Sequence, residues 1–228
     1  MQGLKDELFD LLQAKGARLM GVADLKGIAG GELTTGVSVA VPVPKEIVWD
    51  LQTAPTLAYY EAYHSLNAQL NQIVSAGAAL LQERGFHAVA NTTDTVKTDE
   101  NWRSPLPHKT VAVHAGLGWI GKNCLLITEW YGGAVRLSSL LTDAPLPFDA
   151  PVEKSRCGGC SACVERCPAK AFTGATWTPG IEREKLFDWN RCYPEQLRRM
   201  KQATGIETDL CGLCFAVCPY TQRYLREE

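Results

Sequence analysis

Two runs of cysteine constrain this chain more than any other feature. The first reads Cys157-Gly-Gly-Cys160-Ser-Ala-Cys163-Val-Glu-Arg-Cys167-Pro168; the second has Cys192, a gap, and then Cys211-Gly-Leu-Cys214-Phe-Ala-Val-Cys218-Pro219. Three thiols in one short loop, with a fourth before a proline, is the spacing that wraps an iron-sulfur cubane. A compact loop reaches only three of the four iron corners, and in two-cluster segments the last cysteine of each run ligates the other cluster. The spacing therefore predicts one 4Fe-4S cluster on Cys157, Cys160, Cys163 and Cys218, and a second on Cys167, Cys192, Cys211 and Cys214. Such crossed ligation ties the two halves of the segment together.

Structural zinc and disulfides are the rival uses of these cysteines. Zinc takes four ligands from two Cys-x2-Cys pairs, with no need for a third cysteine at the same spacing or for a proline after the last. Disulfides suit secreted chains, whereas Met1-Gln-Gly-Leu-Lys-Asp-Glu is charged and lacks the apolar stretch of a signal peptide. The expectation is a cytoplasmic protein with no membrane span, because no apolar run approaches bilayer length. Formal net charge is −2, and two oxidised clusters with their thiolates take it to about −6. No basic face for nucleic acid is evident; Arg198, Arg199, Lys201, Arg223 and Arg226 read as solvated helix faces or counter-charges to the clusters.

Periodicity divides the rest of the chain. Residues 4–14 carry Leu4, Leu8, Leu11 and Leu12 in a helical stripe, and 57–84 carry Leu66, Leu70, Ile73 and Leu80, with Gly77 in the same row for close approach of a neighbour. Strands are predicted at 18–23, 36–42 and 87–90, a polar loop at 91–107, and a helix at 108–114. Two further strands, 124–128 and 134–141, flank Tyr131-Gly-Gly as a hairpin, and the proline-rich stretch 143–151 marks a boundary. The fold class is α+β: a cofactor and substrate domain over 1–150, then a two-cluster domain over 151–228 whose small helices are held by metal ligation more than by a core.

The segment Ala115-Gly116-Leu-Gly118-Trp119-Ile-Gly121-Lys122-Asn123 is rich in glycine. It meets the dinucleotide spacing G-x-G-x-x-G, but a helix precedes it and a strand follows, the reverse of that motif's context. It also misses the Walker loop, with Asn123 where the metal-binding hydroxyl belongs. Taken in order with Leu140-Leu-Thr-Asp-Ala-Pro-Leu146, the two cysteine runs, Gly16-Ala-Arg-Leu-Met-Gly-Val-Ala23 and Tyr63-His64, it closely resembles the epoxyqueuosine reductases. The resemblance covers essentially the whole chain.

That family and the related reductive dehalogenases imply a nitroreductase-like domain that holds cobalamin beside a two-cluster ferredoxin-like domain, with electrons passing through the clusters to cobalt. The same resemblance implies the crossed cluster ligation. It nominates Tyr63, His64, Lys109, Gly116, Gly118, Trp119, Gly121, Lys122 and Asn123 as cofactor-binding; His108, at a helix start eight residues ahead of the glycine turn, is the candidate proton donor or cobalt ligand by its own imidazole chemistry. Each has a plainer alternative: His108 bonded at a helix start, Tyr63 and His64 packed with satisfied polar tips, Lys122 capping a turn, Trp119 in a core. Cys124, the ninth cysteine, reads as a small buried hydrophobe. The implied partners are an external donor such as ferredoxin or flavodoxin and a small-molecule or corrinoid ligand. The family's acidic proton donor is replaced by Trp102-Arg-Ser-Pro-Leu-Pro-His-Lys109, and the chain ends at Glu228 without the extension that engages tRNA. The expectation is a substrate other than modified tRNA. An electron carrier or corrinoid-reducing partner, or a flavin in place of cobalamin, are the competing readings.

Overall fold

The computed structural model describes residues 2–227. In chain order the elements are α1 (Gln2–Ala14), β1 (Leu19–Asp24), β2 (Thr35–Pro42), α2 (Lys45–Asp50), α3 (Leu57–Glu83), β3 (Ala88–Asn91), α4 (His108–His114), β4 (Trp119–Ile120), β5 (Leu126–Ile127) and β6 (Val135–Thr142). The cysteine-rich part adds α5 (Ala162–Arg166), a 3-10 turn (Arg183–Lys185), α6 (Trp189–Thr204), α7 (Leu213–Ala216) and α8 (Pro219–Arg226).

The chain forms two compact units, each assembled from separate segments. The first takes the chain up to Val41, then Ser65–Leu117 and Arg136–Val152; the second takes Pro42–His64, Gly118–Val135 and everything from Glu153. The last crossing between the units lies between Val152 and Glu153, and two earlier segments belong with the cysteines.

In the first unit, a four-stranded sheet in the order β1-β2-β6-β3 is covered on both faces. Strands β1 and β2 are antiparallel with Val22 opposite Val37, and β3 and β6 are antiparallel with Ala90 opposite Leu140. The two-residue strand period sends Val37, Val39, Val41 and Leu140 to one face, where they meet Leu8 and Leu12 of α1 and Leu70, Ile73 and Leu81 of α3. Ala23 and Leu141 turn to the other face, against Val111 and Ala115 around α4. Burial on both sides explains why β2 is an apolar run with little alternation.

Two glycines permit this closeness. A methyl on Gly77 would lie 2.8 Å from Leu140 and 3.0 Å from Leu12, so α3 seats directly on α1 and the sheet. A methyl on Gly21 would lie 2.1 Å from the Ala115 carbonyl oxygen, so α4 closes on β1 only because that side chain is missing. The proline-rich stretch is pinned along this unit and is no free linker. Asp149 accepts from Lys5 Nζ and from the Val22 amide, each at 2.8 Å, and the Val152 amide donates to the Val113 carbonyl at 3.0 Å.

One sequence expectation holds only at its turn, where the Thr128 amide donates to the Gly132 carbonyl at 2.8 Å and the Gly132 amide to the Thr128 carbonyl at 3.1 Å. The strands flanking Tyr131-Gly-Gly do not pair as a hairpin: β5 pairs with β4, Trp119 opposite Ile127, while β6 joins the large sheet. The glycines have another task. A methyl on Gly132 would lie 2.2 Å from the Thr221 amide nitrogen, and the Gly133 amide donates to Thr221 Oγ1 at 2.9 Å, so the turn docks on the start of α8.

Gly21→Ala forces a methyl onto a backbone oxygen that has no rotamer to yield. We expect a loss of about 1–3 kcal/mol, seen as a thermal midpoint several degrees lower by circular dichroism with iron content retained.

Candidate metal centre

Every cysteine loop here is a helix terminus. Cys163 rides on α5, and Cys167 leaves that helix in extended conformation with Pro168 to prevent continuation. Cys192 lies in the first turn of α6, whose start is capped by the Asp188 carboxylate accepting from the Arg191 amide at 3.3 Å. Cys214 lies on α7, and Cys218 is the residue before α8 with Pro219 at its first position, where a missing amide hydrogen costs nothing. The proline that follows each run is thus a terminator in one case and an initiator in the other.

Among the described residues, no cysteine forms a disulfide. The thiol of Cys163 feels Cys218, Cys157 and Cys160, and Cys218 feels Cys157 and Cys160. Cys192 feels Cys167 and Cys211, and Cys214 feels Cys211, Cys192 and Cys167, with Cys163 also in reach. Tertiary structure therefore gathers the cysteines into two adjoining quartets that divide the runs between them. Burial, then mutual repulsion, pushes Cys163 up to about 11 and Cys192 up to about 12, and Cys214 is raised further than its ordinary range for the same reasons. Burial raises Cys218 too, while amide hydrogens of Tyr220 and Thr221 at the start of α8 partly offset the rise.

Thiols held this way become thiolates only when a strong positive centre draws off their protons, which is what ligation by iron does. The donor set fits two 4Fe-4S clusters. Among the described residues, no three His, Cys, Asp or Glu side chains converge tightly enough for a single metal ion. The fit rests on the two quartets and their sequence spacing, since a cubane carries iron at each ligated corner and holds its thiolates farther apart than one ion does. Phe172, Phe187, Val164 and Ala171 pack around Cys167, Cys192 and Cys214, giving this quartet a dry surrounding.

The glycine turn belongs to this centre. Lys122 is buried and its ammonium donates to the Gly158 carbonyl at 3.0 Å and the Cys160 carbonyl at 2.9 Å. Asn123 donates from Nδ2 to the Cys214 carbonyl at 3.3 Å, while its Oδ1 accepts from the Leu125 amide. Trp119 is buried edge-on against Tyr220, ring centroids 4.8 Å apart, with the Arg156 guanidinium over its face. Gly118 and Gly121 are required by close contact with Ile127, and Gly116, at φ +77°, by the Ala150 carbonyl. Of the residues nominated for a cofactor, Gly118, Trp119, Gly121, Lys122 and Asn123 are thus buried and employed within the cysteine-rich unit. Tyr63, His108 and Lys109 are half-buried, and His64 and Gly116 are exposed, with His64 edge-on to the rings of Tyr60 and Tyr63.

Segment 42–64 is held to the same unit by three side chains, of which sequence pattern singled out only Arg199, as a solvated face or counter-charge. Arg166 donates to the Gln52 carbonyl at 3.1 Å, Arg199 to the Thr53 carbonyl at 2.7 Å, and Tyr224 to the Val43 carbonyl at 3.1 Å. Most other basic residues nearby are paired with acids: Arg198 with Glu195, Lys201 with Glu207, and both Arg156 and Arg223 with Glu129.

His108 opens α4 in the first unit, as its sequence position predicts, but its partner is a side chain: Nδ1 lies 2.9 Å from Ser139 Oγ on β6. Asn91 Nδ2 reaches the same hydroxyl at 3.3 Å. Burial, and then the charge of Arg136, lower His108 to about 4. Arg136 is itself held by Asn67 Oδ1 at 3.0 Å. The imidazole is consequently neutral at physiological pH. Ser139, Asn91, Arg136 and Asn67 escaped the sequence reading. Only the alternation of β6, which puts Ser139 on the face of α4, hinted at the first.

The segment 156–221 matches a family described as a 4Fe-4S double cluster binding domain. Epoxyqueuosine reductase from Pseudomonas aeruginosa is 36% identical over 163 residues, 70% of this chain and 41% of that protein. The chain is a relative of the epoxyqueuosine reductases. The enzyme of that name from Vibrio cholerae is 32% identical over 171 residues, covering 70% of this chain and 40% of its own length. The chain thus spans about two fifths of the curated relatives it matches. An epoxyqueuosine reductase crystal structure superposes with a TM-score of 0.64 at 18% identity, covering 96% of this chain and 66% of that one. A catabolic reductive dehalogenase superposes with a TM-score of 0.72 at 17% identity, covering 94% of this chain and 31% of that one. These likenesses show a shared α+β fold carrying a two-cluster domain. Among the described residues, no helix is long and apolar enough to cross a membrane.

The lowered His108 value has a thermodynamic sign. Below the ordinary value near 6.5 the unfolded chain takes up a proton that the folded chain refuses, so His108 favours the fold above 6.5 and loses that contribution as pH falls towards 4. The loss is on the order of 3 kcal/mol at most. Histidine NMR resonances of the wild type should show one imidazole that titrates near pH 4, and Arg136→Gln should raise that midpoint.

Proposed function

We propose that this chain is an iron-sulfur reductase of the epoxyqueuosine reductase type, taking single electrons from an external ferredoxin or flavodoxin through two 4Fe-4S clusters and delivering them to a bound acceptor. The observation that carries this reading is the gathering of eight thiols into two quartets that share both runs. The clusters, when bound, supply one-electron storage and transfer. The chain's own residues hold the ligand loops: Lys122 clamps the Gly158 and Cys160 carbonyls, Asn123 clamps that of Cys214, and α8 aims two amide hydrogens at Cys218. In the first unit, neutral His108, fixed by Ser139, offers a hydrogen bond to a ligand and leaves protonation to another group.

A solved epoxyqueuosine reductase holds a modified tRNA stem loop. Our reading for this chain is a substrate other than modified tRNA, because arginines and lysines of α6 and α8 are spent on acids and on backbone carbonyls of their own unit. A basic track along phosphates needs cations that are not so engaged.

One structural relative is a B12-dependent reductive dehalogenase. The buried turn of Gly118, Trp119, Gly121, Lys122 and Asn123 does not fit a corrin contact, since its groups already serve the cysteine loops. That placement favours a second reading, an electron carrier that serves a different protein and holds no acceptor of its own.

Anaerobic titration of the cluster-loaded chain separates the two. A saturable change in the visible spectrum with hydroxocobalamin or with flavin mononucleotide supports the reductase, whereas no response to either supports the carrier. Cluster ligation has its own test. Reconstituted protein should hold about eight irons, and Cys218→Ser should disturb the same electron paramagnetic resonance signal as Cys157→Ser. If Cys218→Ser instead disturbs the signal lost in Cys192→Ser, the crossed assignment is wrong.

A further inference from the structure

The two quartets sit in unequal electrostatic surroundings. Lys122 places a buried ammonium 2.9 Å from the carbonyl of Cys160, a member of the first quartet, and 3.0 Å from that of Gly158 in the same loop. Arg156, next to Cys157, pairs with Glu129, and Arg223 pairs with both Glu129 and Glu227, so these charges balance and the difference lies with Lys122. Around the second quartet, Arg191, next to Cys192, is balanced by Asp188. Asp209 and Glu195 are within electrostatic reach of Cys192, with Glu195 partly offset by Arg198. The neighbour of Lys122, Asn123, touches the second quartet's backbone at Cys214 with a neutral amide. One turn thus extends a charged group to one quartet and an uncharged group to the other.

Reducing a cluster adds one negative charge, and a fixed positive charge nearby stabilises the added electron, more strongly where burial limits screening. We propose that Lys122 orders the two potentials: the cluster on Cys157, Cys160, Cys163 and Cys218 is the easier to reduce, and an electron entering at the other cluster comes to rest on it. The inference rests on the two-cluster reading above. The electron comes from a reduced one-electron carrier of the ferredoxin or flavodoxin class, which is oxidised by one electron as the cluster gains one. No bond forms or breaks. Lys122 acts as a positioning residue in this account, through both its charge and its grip on the loop.

The test is an anaerobic potentiometric titration of the cluster-loaded full chain, followed by electron paramagnetic resonance. Wild type should show two unequal midpoints, with the higher belonging to the signal that Cys163→Ser alters. Lys122→Gln, which keeps a donor for the carbonyls and removes the charge, should lower that midpoint and leave the other nearly unmoved. The electron partition between clusters should change about tenfold, equivalent to about 59 mV for a one-electron couple. Lys122→Arg should restore it, and Asp209→Asn should raise only the lower midpoint. Full iron content with both midpoints unchanged in Lys122→Gln, or the higher midpoint on the other cluster in wild type, would overturn the proposal. If Lys122→Gln does not load iron, Asp209→Asn decides: a rise confined to the lower midpoint supports the inference, and a rise of the higher one sinks it. A wild type with far fewer than eight irons would instead remove the two-cluster reading itself.

Discussion

Packing eight thiols into two adjoining quartets is unfavourable for the protein alone, because each thiolate loses hydration and repels its neighbours. The upward displacement of Cys163, Cys192 and Cys214 is the mark of that conflict. Iron bound among them would relieve it by supplying positive charge, which would couple metal binding to folding in the cysteine-rich unit. Each run contributes cysteines to both sets of electrostatic neighbours.

From this requirement follows the discontinuous build of the second unit. Short helices such as α5 and α7 cannot bury enough apolar surface to order themselves, and they borrow support from earlier segments. Lys122 and Asn123 hold the ligand loops from the side, Gly132 and Gly133 let a turn seat on the start of α8, and Arg166 and Arg199 tie down the backbone after α2. The turn that looks from its glycines like a ligand cradle braces the cysteine loops through Lys122 and Asn123. Its glycines are demanded by the chain's own backbone, at Ile127 and Ala150.

The first unit solves a different problem with a conventional core, a sheet covered on both faces by α1 and α3 on one side and α4 on the other. On the α4 face it carries a small polar group, where burial and then the charge of Arg136 lower His108 and the Ser139 hydroxyl bonds its ring.

Local pattern alone determined much of this protein. The spacing of Cys157 through Cys218 names a cluster chemistry because ligand geometry within one loop is a local matter, and the stripes of α1 and α3 and the start of α4 at His108 were legible because helix periodicity is local too. What Lys122, Asn123 and Ser139 do was not legible, since a lysine reads alike whether it meets a corrin, solvent or a carbonyl far along the chain. Nor did Tyr131-Gly-Gly reveal that its glycines answer to Thr221 as well as to the turn they close. Those assignments depend on which distant segment supplies the neighbour, and only tertiary structure decides that, because long-range contacts leave no periodic trace in the residues that make them.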